Sequence, residues 1–448
     1  MCESFKIKPL ACSQCLSKKT TDYTLKELKQ RHNNMAKPLR ILYAVGPEDV
    51  IEAYNYWINS QDAPSQVSVP FSSQFYEVCT TLNAKGYVIA QSNKKECVHD
   101  ERFIVERRPV PLPKASGILY HLRQVWCGLQ LLACAIRFGA NVVVADSGTT
   151  YWFVLSLFSW IGMKVIPSLH CLLWCKYLPP RLVDQLNLTL SRNLFASDSQ
   201  AILVASQDVA EQISQLTGGK HQPIFEFFSS YRRADFANIV EPSQERLPFR
   251  VLFAGRLEQN KGVFDLLEIA KRFATEGRQD IIFDICGEGS ALESLRLAAK
   301  QVGVDNSFIC HGYCTKPQMR EMYSRSHVVI VPTRTEFIEG FNRVVCESIL
   351  SGRPVVTSAV CPALSYVQDA VVEVPPNDVK AYGDALLELY SDRQLYEQKR
   401  QACLIAQEQF YDTTKSWGAT LKSILLTIQA EQEMKKSLIA SGIKIPSL

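Results

Sequence analysis

From residue 249 onward the chain repeats one pattern: a short, almost wholly apolar run rich in β-branched residues, a break at Gly or Pro, then a longer segment with apolar positions every three or four residues. The runs are FRVLFAG (249–255), IIFDICG (281–287), FICHG (308–312), VVIVPT (328–333), PVVTS (354–358) and VVEVP (371–375). Strands covered on both faces read as continuous apolar runs, and strands separated by helices pair in parallel, so this half predicts a parallel sheet between two helical layers. Val263, Leu266, Leu267 and Ala270 mark the inward stripe of one such helix, and Leu292, Leu295, Ala299 and Val302 that of the next. These side chains are core and need no functional explanation.

The first half repeats the theme less regularly, with strands expected at 40–45, 86–90, 141–146, 164–170 and 201–206. VPFSSQF (69–75) reads as a stretch that precedes the first helix pattern. Residues 117–138 are apolar nearly all round, which predicts a deeply packed helix in preference to one touching lipid, with Arg123 and Arg137 snorkelling from it. SSYRRADFANIVEPSQERLP (229–248) has two Pro and no periodicity and is the expected hinge. Helical patterns follow beyond 380, and a long C-terminal helix there is placed to cross back onto the first half. The organisation predicted is an α/β protein: an extension over 1–36, a Rossmann-like domain over 37–240, a second over 241–395, and C-terminal helices over 396–448. Two doubly wound domains facing each other put a ligand cleft between the carboxyl ends of their strands.

A length of 448 residues is enough for two cores, and 47% apolar with 21% charged residues is the composition of a globular protein. Lys and Arg exceed Asp and Glu by 25 to 21 over residues 1–245 and balance them, 24 to 24, over 246–448. That excess excludes a nucleic-acid partner, which wants a basic stripe, but suits the first half to an anionic surface. No apolar run is long and uncharged enough to span a bilayer, and the N-terminus lacks the apolar core of a secretory signal. Fifteen scattered cysteines then read as reduced thiols in a cytoplasmic protein. Cys12 and Cys15 form a lone CxxC, read as tail and not as a zinc site; Met35, just before the first strand, is an alternative start.

Candidate chemistry gathers at the strand ends of the second half. Gly255 closes the first run there, and Arg256 and Lys261 follow before the next helix, a fork and a point charge suited to a diphosphate, or else two solvated loop cations. Gly287 and Gly289 form the next strand-to-helix turn, where a ligand can approach backbone; the GEGSAL stretch departs from GxGxxG, so nicotinamide chemistry is unsupported. In EGFNRVVCESILSGRPVV (339–356), Glu339 stands in a loop and a helix starts near Gly340, Phe341 and Asn342, its amides and positive dipole end facing the cleft. Glu347 lies about five residues into that helix among Val344, Val345 and Ile349, where it either accepts from a pair of ribose hydroxyls or forms a structural salt bridge, for instance with Arg256.

FAGRLEQNKGVFDLLEIA, ICGEGSALESLRLAAKQVG, FICHGYCTKPQMREMYSRSHVVIVPT and EGFNRVVCESILSGRPVV occur in order. This set closely resembles the retaining glycosyltransferases of family 4, which have the GT-B fold, and Glu339 and Glu347 match that family's E-x7-E signature. The resemblance implies an acceptor domain over 37–240 and a nucleotide-sugar donor domain over 241–395. It gives Arg256 and Lys261 to the donor diphosphate, Glu347 to the ribose, Glu339 to the donor sugar, the amides of Gly340, Phe341 and Asn342 to phosphate and sugar, and His170, at the end of KVIPSLH, to the sugar from the other domain. Two departures bear on the acceptor. Gly46 stands alone where the family has a glycine pair, with Ser72 and Ser73 as candidates to fill that place, and the usual Asn-Gly turn is missing from FEFFSSYRRADF.

The activity implied is transfer of a sugar, with retention, from a nucleotide sugar to an acceptor hydroxyl in cell-surface polysaccharide or glycolipid synthesis. It requires no metal and no cofactor beyond the co-substrate, and no D-x-D triplet is present. A nucleotide-sugar epimerase and a non-catalytic relative share the fold and are the alternatives. The acceptor is left open, and the basic first half leans towards peripheral association with the inner face of a membrane.

Overall fold

A computed structural model of the chain describes residues 38–64, 66–240 and 247–440. The expected extension, the Cys12 and Cys15 pair and Met35 lie outside them. The first sheet is built from β1 (Arg40–Val45), β2 (Lys85–Ser92), β3 (Glu96–His99), β4 (Phe103–Pro109), β5 (Val142–Asp146), β6 (Lys164–Leu169), β7 (Ile202–Val204) and β8 (Ile224–Glu226), in the order β3-β4-β2-β1-β5-β6-β7-β8. Every pairing is parallel except that of β3 with β4. The second sheet holds β9 (Phe249–Ala254), β10 (Ile281–Cys286), β11 (Phe308–Gly312), β12 (Val328–Val331), β13 (Val355–Thr357) and β14 (Val371–Glu373), all parallel, in the order β11-β10-β9-β12-β13-β14. Valine and isoleucine fill the central strands, and every residue of VVVAD in β5 and VVIV in β12 is buried. Strand order reverses beside β1 in one sheet and beside β9 in the other, so each domain opens its ligand crevice at the carboxyl end of its first strand.

The strands that sequence reasoning overlooked are those at the edges of the first sheet. ECVH at the edge and FIVERRP next to it mix charge with apolar residues because the margin of the sheet is open to solvent. VPFSSQF needs correction as well. A helix, Val50–Ile58, already precedes it, started by the Asp49 carboxylate accepting from Glu52 N at 3.1 Å, and Phe71–Thr81 is itself helical after Pro70. The expected hinge contains a short helix, Arg233–Phe236, and Tyr231 and Phe236 anchor it in the second domain's core; residues 241–246 are outside the described set.

A further correction concerns helix Gly117–Phe138, which is not deeply packed. Only Cys127, Gly128, Leu131, Ala135 and Phe138 are buried, while Ile118, Leu122, Trp126 and Ile136 lie open to solvent. One stripe suffices to cover the sheet: Gly128 sits so close to Thr150 and Val154 that a Cβ there would be 2.4 Å from Thr150 Oγ1, and no described element lies over the opposite face. At the other end of the chain, Tyr396, Cys403 and Phe410 pack into the second domain, whereas Trp417, Leu421, Ile424, Leu425 and Ile428 of helix Trp417–Ala440 enter the core of the first.

Candidate active site

The first sheet supplies a carboxylate hub at its switch point. Asp146, the last residue of β5, is buried, and its Oδ2 accepts from the Tyr43 hydroxyl at 2.8 Å and from Gly46 N at 3.1 Å. Its Oδ1 lies 2.9 Å from His170 Nε2 at the end of β6. A carboxylate only accepts, so Nε2 carries the proton, and Nδ1 makes no hydrogen bond among the described residues. Phe71 and Phe227 clamp the ring, with centroids at 4.7 and 5.2 Å. Ser168 Oγ, also 2.9 Å from Nε2, accepts from Trp417 Nε1 at 3.0 Å, which ties the C-terminal helix to His170 through one fully buried hydroxyl. Gly46 therefore shapes this site by backbone hydrogen bonding. Ser72 reaches it indirectly, donating to Glu48, and Ser73 does not reach it: that side chain lines a separate groove beside Trp57 and Lys422 because successive helical positions diverge by 100°.

In the second sheet Lys261 Nζ stands 2.6 Å from Glu339 Oε2 and 3.8 Å from the centre of the Phe337 ring. Glu339 is nearly buried and also accepts from Thr333 Oγ1 (2.9 Å), Asn342 Nδ2 (3.3 Å) and Gly340 N (3.2 Å). Arg256 stands apart, its side chain 61% exposed and paired with Glu258 at 3.1 Å, so the supposed salt bridge from Arg256 to Glu347 does not form. Glu347 instead accepts from the buried Tyr323 hydroxyl at 3.0 Å, and burial pushes its carboxyl up to about 7 against the opposing pull of Arg343. Asn342 caps helix Arg343–Leu350 by accepting from Val344 N at 3.0 Å.

Packing gives the glycines a reason of their own. Cβ atoms added at Gly287 and Gly289 would lie 1.8 Å from Gly255 O and 2.3 Å from Leu257 O, so the close approach of neighbouring loops by itself requires glycine at both turns. At Gly340 the clash is with His170 O, at 2.3 Å. Gly340 is where the two domains touch: it bridges to Cys171, and Leu172 N donates to Glu339 O at 3.2 Å. Phe341 is likewise a wedge between domains, packed against Phe228, Tyr366 and Phe410.

These contacts bring His170 and the start of helix Arg343–Leu350 to opposite sides of one cavity of about 210 Å³, to which Glu48, Asp146, Phe71 and Arg343 also contribute. Glu48 and Arg343 are the functional candidates that sequence reasoning missed. Glu48 is pushed up to about 7, chiefly by burial and against the donating Ser72 hydroxyl. Arg343 reaches across the domain boundary to Gln66 Oε1 and Ser68 Oγ at 3.3 and 3.2 Å. A periodicity argument cannot find either, since Glu48 precedes a helix and Arg343 looks like a surface residue of one.

Two facing Rossmann-like domains with a cavity between their strand ends make the fold GT-B. The HepE protein of Anabaena, solved in complex with UDP, aligns with a TM-score of 0.59 at 14% identity, covering 88% of this chain and all of that one. Residues 237–403, essentially the second domain, match the family model for glycosyl transferases group 1. Over 144 residues the chain is 31% identical to the D-inositol 3-phosphate glycosyltransferase of Xylanimonas cellulosilytica, which is 32% of this chain and 34% of that relative. The chain thus spans about a third of the length of that relative. It is 23% identical over 309 residues to the 2-deoxystreptamine N-acetyl-D-glucosaminyltransferase of Streptomyces fradiae, covering 63% of this chain and 70% of the relative.

Proposed function

We infer that the protein transfers a sugar from a nucleotide-sugar donor to an acceptor hydroxyl, with retention at the anomeric carbon and without a metal. The observation that carries this reading is the cavity itself, where His170 and Glu48 of one domain face the capped N-terminus of helix Arg343–Leu350, with Lys261 paired to Glu339 beside that helix start and Glu347, the second acid of E-x7-E, within the helix. In this reading the donor's ribose hydroxyls donate to Glu347, and its diphosphate lies between Lys261, Arg256 and the positive end of the helix start. As the bond from the anomeric carbon to the diphosphate oxygen breaks, negative charge grows on that oxygen, and Lys261 with the helix dipole stabilises it. The acceptor hydroxyl attacks from the same face and passes its proton to the departing oxygen, so no separate protein base is needed. Glu339 holds Lys261 in place and offers its Oε1 side to the donor sugar. His170 Nδ1 and the carboxyl of Glu48 are the groups available to orient hydroxyls in the cavity, which has room for one sugar-sized ring. We assign the reaction to cell-surface polysaccharide or glycolipid synthesis at the cytoplasmic face of a membrane.

The test is a thermal-shift panel of nucleotide sugars on the purified chain, since a ligand that binds only the folded state raises the melting point according to its affinity. One nucleotide family stabilises the protein, and Lys261→Ala abolishes the effect. No stabilisation by any donor, or interconversion of the donor sugar in the absence of an acceptor, overturns the reading.

A further inference from the structure

Helix Gly117–Phe138 and helix Leu182–Asn193 leave apolar side chains without cover at the spacing of a single helical face. In the first these are Ile118, Leu122 and Trp126, and in the second Leu182, Leu186 and Leu190. Ile118 is 78% exposed and Leu182 81%, far beyond the scattered exposure of ordinary surface leucines. The two helices pack on the same short turn, Trp152–Leu155, and His121 of the first is hydrogen-bonded to Tyr151 just before that turn, so both stand in one region of the first domain.

The same region carries an excess of positive charge. Residues 109–197 carry seven Lys or Arg and only two acids, Asp146 and Asp184, and Asp146 is buried under His170; the rest of the chain has 42 basic and 43 acidic residues. The segment that bears the exposed apolar face therefore carries an excess of five positive charges, and residues 1–37 carry an equal one, eight basic against three acidic. No helix among the described residues is long and apolar enough to cross a membrane. An apolar face in a segment with an excess of cations, on helices too short or too polar to insert, is the signature of binding in the headgroup layer. A second groove, of about 430 Å³, runs from Ser147 and Cys171 beside the candidate site to Leu178, Arg181 and Leu188 at the second helix.

The geometry points to the face formed by these two helices as a docking surface for a bilayer containing anionic lipids, with the groove leading from that surface to the cavity. The proposal does not rest on sugar transfer, because vesicle binding needs neither donor nor acceptor. It is tested by co-sedimentation of the full chain with vesicles of phosphatidylcholine alone and with vesicles that also contain phosphatidylglycerol. Binding to the mixed vesicles is expected, with little to phosphatidylcholine, and it weakens as salt screens the headgroups. The exposed triple variant Ile118→Ser/Leu122→Ser/Trp126→Ser keeps the melting temperature and lowers vesicle partitioning by about tenfold or more; Lys114→Gln/Arg181→Gln lowers it only for the anionic vesicles. Absence of binding, or binding that the triple variant leaves unchanged, overturns the proposal. So does light scattering that shows a dimer dissociated by the triple variant with no affinity for vesicles, which would make a second copy of the chain the occupant.

Discussion

Replacing Lys261 with methionine separates what the ion pair with Glu339 does for the fold from what it does for the reaction. The two side chains are 12% and 8% exposed and 2.6 Å apart. Removing one partner of a buried pair costs about 3–5 kcal/mol, because the other charge stays behind without compensation. Here Glu339 keeps three donors, from Thr333, Asn342 and Gly340, each of which offsets about 1 kcal/mol of that penalty in part. The expected loss for Lys261→Met is therefore about 2–3 kcal/mol, read as a lower denaturation midpoint at constant slope. Glu339→Gln removes the charge left behind, so the double variant recovers at least about 1 kcal/mol, and the cycle gives a coupling energy of that size. Turnover does not recover with it. It stays down at least about tenfold in both variants that lack the cation, since the leaving oxygen has lost a charge contact. A Lys261→Met variant within about 0.5 kcal/mol of the parent, or a coupling near zero, would refute the pairing; a double variant with restored turnover would refute the role at the leaving group.

Arg256→Ala is expected to leave stability within about 0.5 kcal/mol, because the exposed pair with Glu258 contributes little, while turnover with the best donor falls about tenfold; an unchanged rate removes Arg256 from the phosphate site. Glu48 and Glu347 are each pushed up to about 7 by burial, so the native state holds their protons more tightly than the unfolded chain does. Ligand-free stability from these two groups is thus fully present below the unfolded carboxyl range and is lost as pH rises from about 4.5 to 7, by roughly 3 kcal/mol per group, and Glu48→Gln/Glu347→Gln flattens that slope in pH-dependent denaturation. Gly340→Ala places a Cβ 2.3 Å from the His170 carbonyl, so it lowers stability by about 1–3 kcal/mol and moves the helix start relative to the first domain; an unchanged melting curve would mean that the two loops are not in contact. Trp417→Phe deletes the donor to Ser168 at a cost of about 1 kcal/mol, and by loosening His170 it changes kcat more than KM for the donor; equal effects on both would point to general destabilisation.

The sequence was most legible where one physical rule acts alone. A parallel strand buried on both faces has to be apolar along its length, and the eleven expected runs all contain a strand; the overlooked ones, β3, β4 and β8, are at or next to a sheet edge, where that rule lapses. Helix Gly117–Phe138 failed for a related reason. Apolar periodicity reports what a helix is able to bury, not what is available to cover it, and an all-round apolar helix packed on one side only has the same sequence as a buried one. The E-x7-E spacing brought Glu339 and Glu347 to light because both stand on one local segment, whose geometry is set by the cap at Asn342 and the close of the helix at Gly352.

The hub at Asp146 is different in kind. Its partners, Tyr43, Gly46, His170 and, through Ser168, Trp417, are brought together from β1, β5, β6 and the last helix, and the pairs Tyr43–Asp146 and Ser168–Trp417 are separated by 103 and 249 residues. No local pattern encodes such a meeting. It follows from the strand order, which puts β5 between β1 and β6, and from the last helix crossing back to pack Trp417 against Tyr43, with ring centroids 5.0 Å apart. Glycine shows the same limit from the other side. Gly340 was read as room for a ligand because the sequence around it pointed to one, whereas the residue that forbids a side chain there is His170, 170 positions earlier in the chain, so the same glycine that starts the donor-side loop also sets how closely the two halves of the site meet.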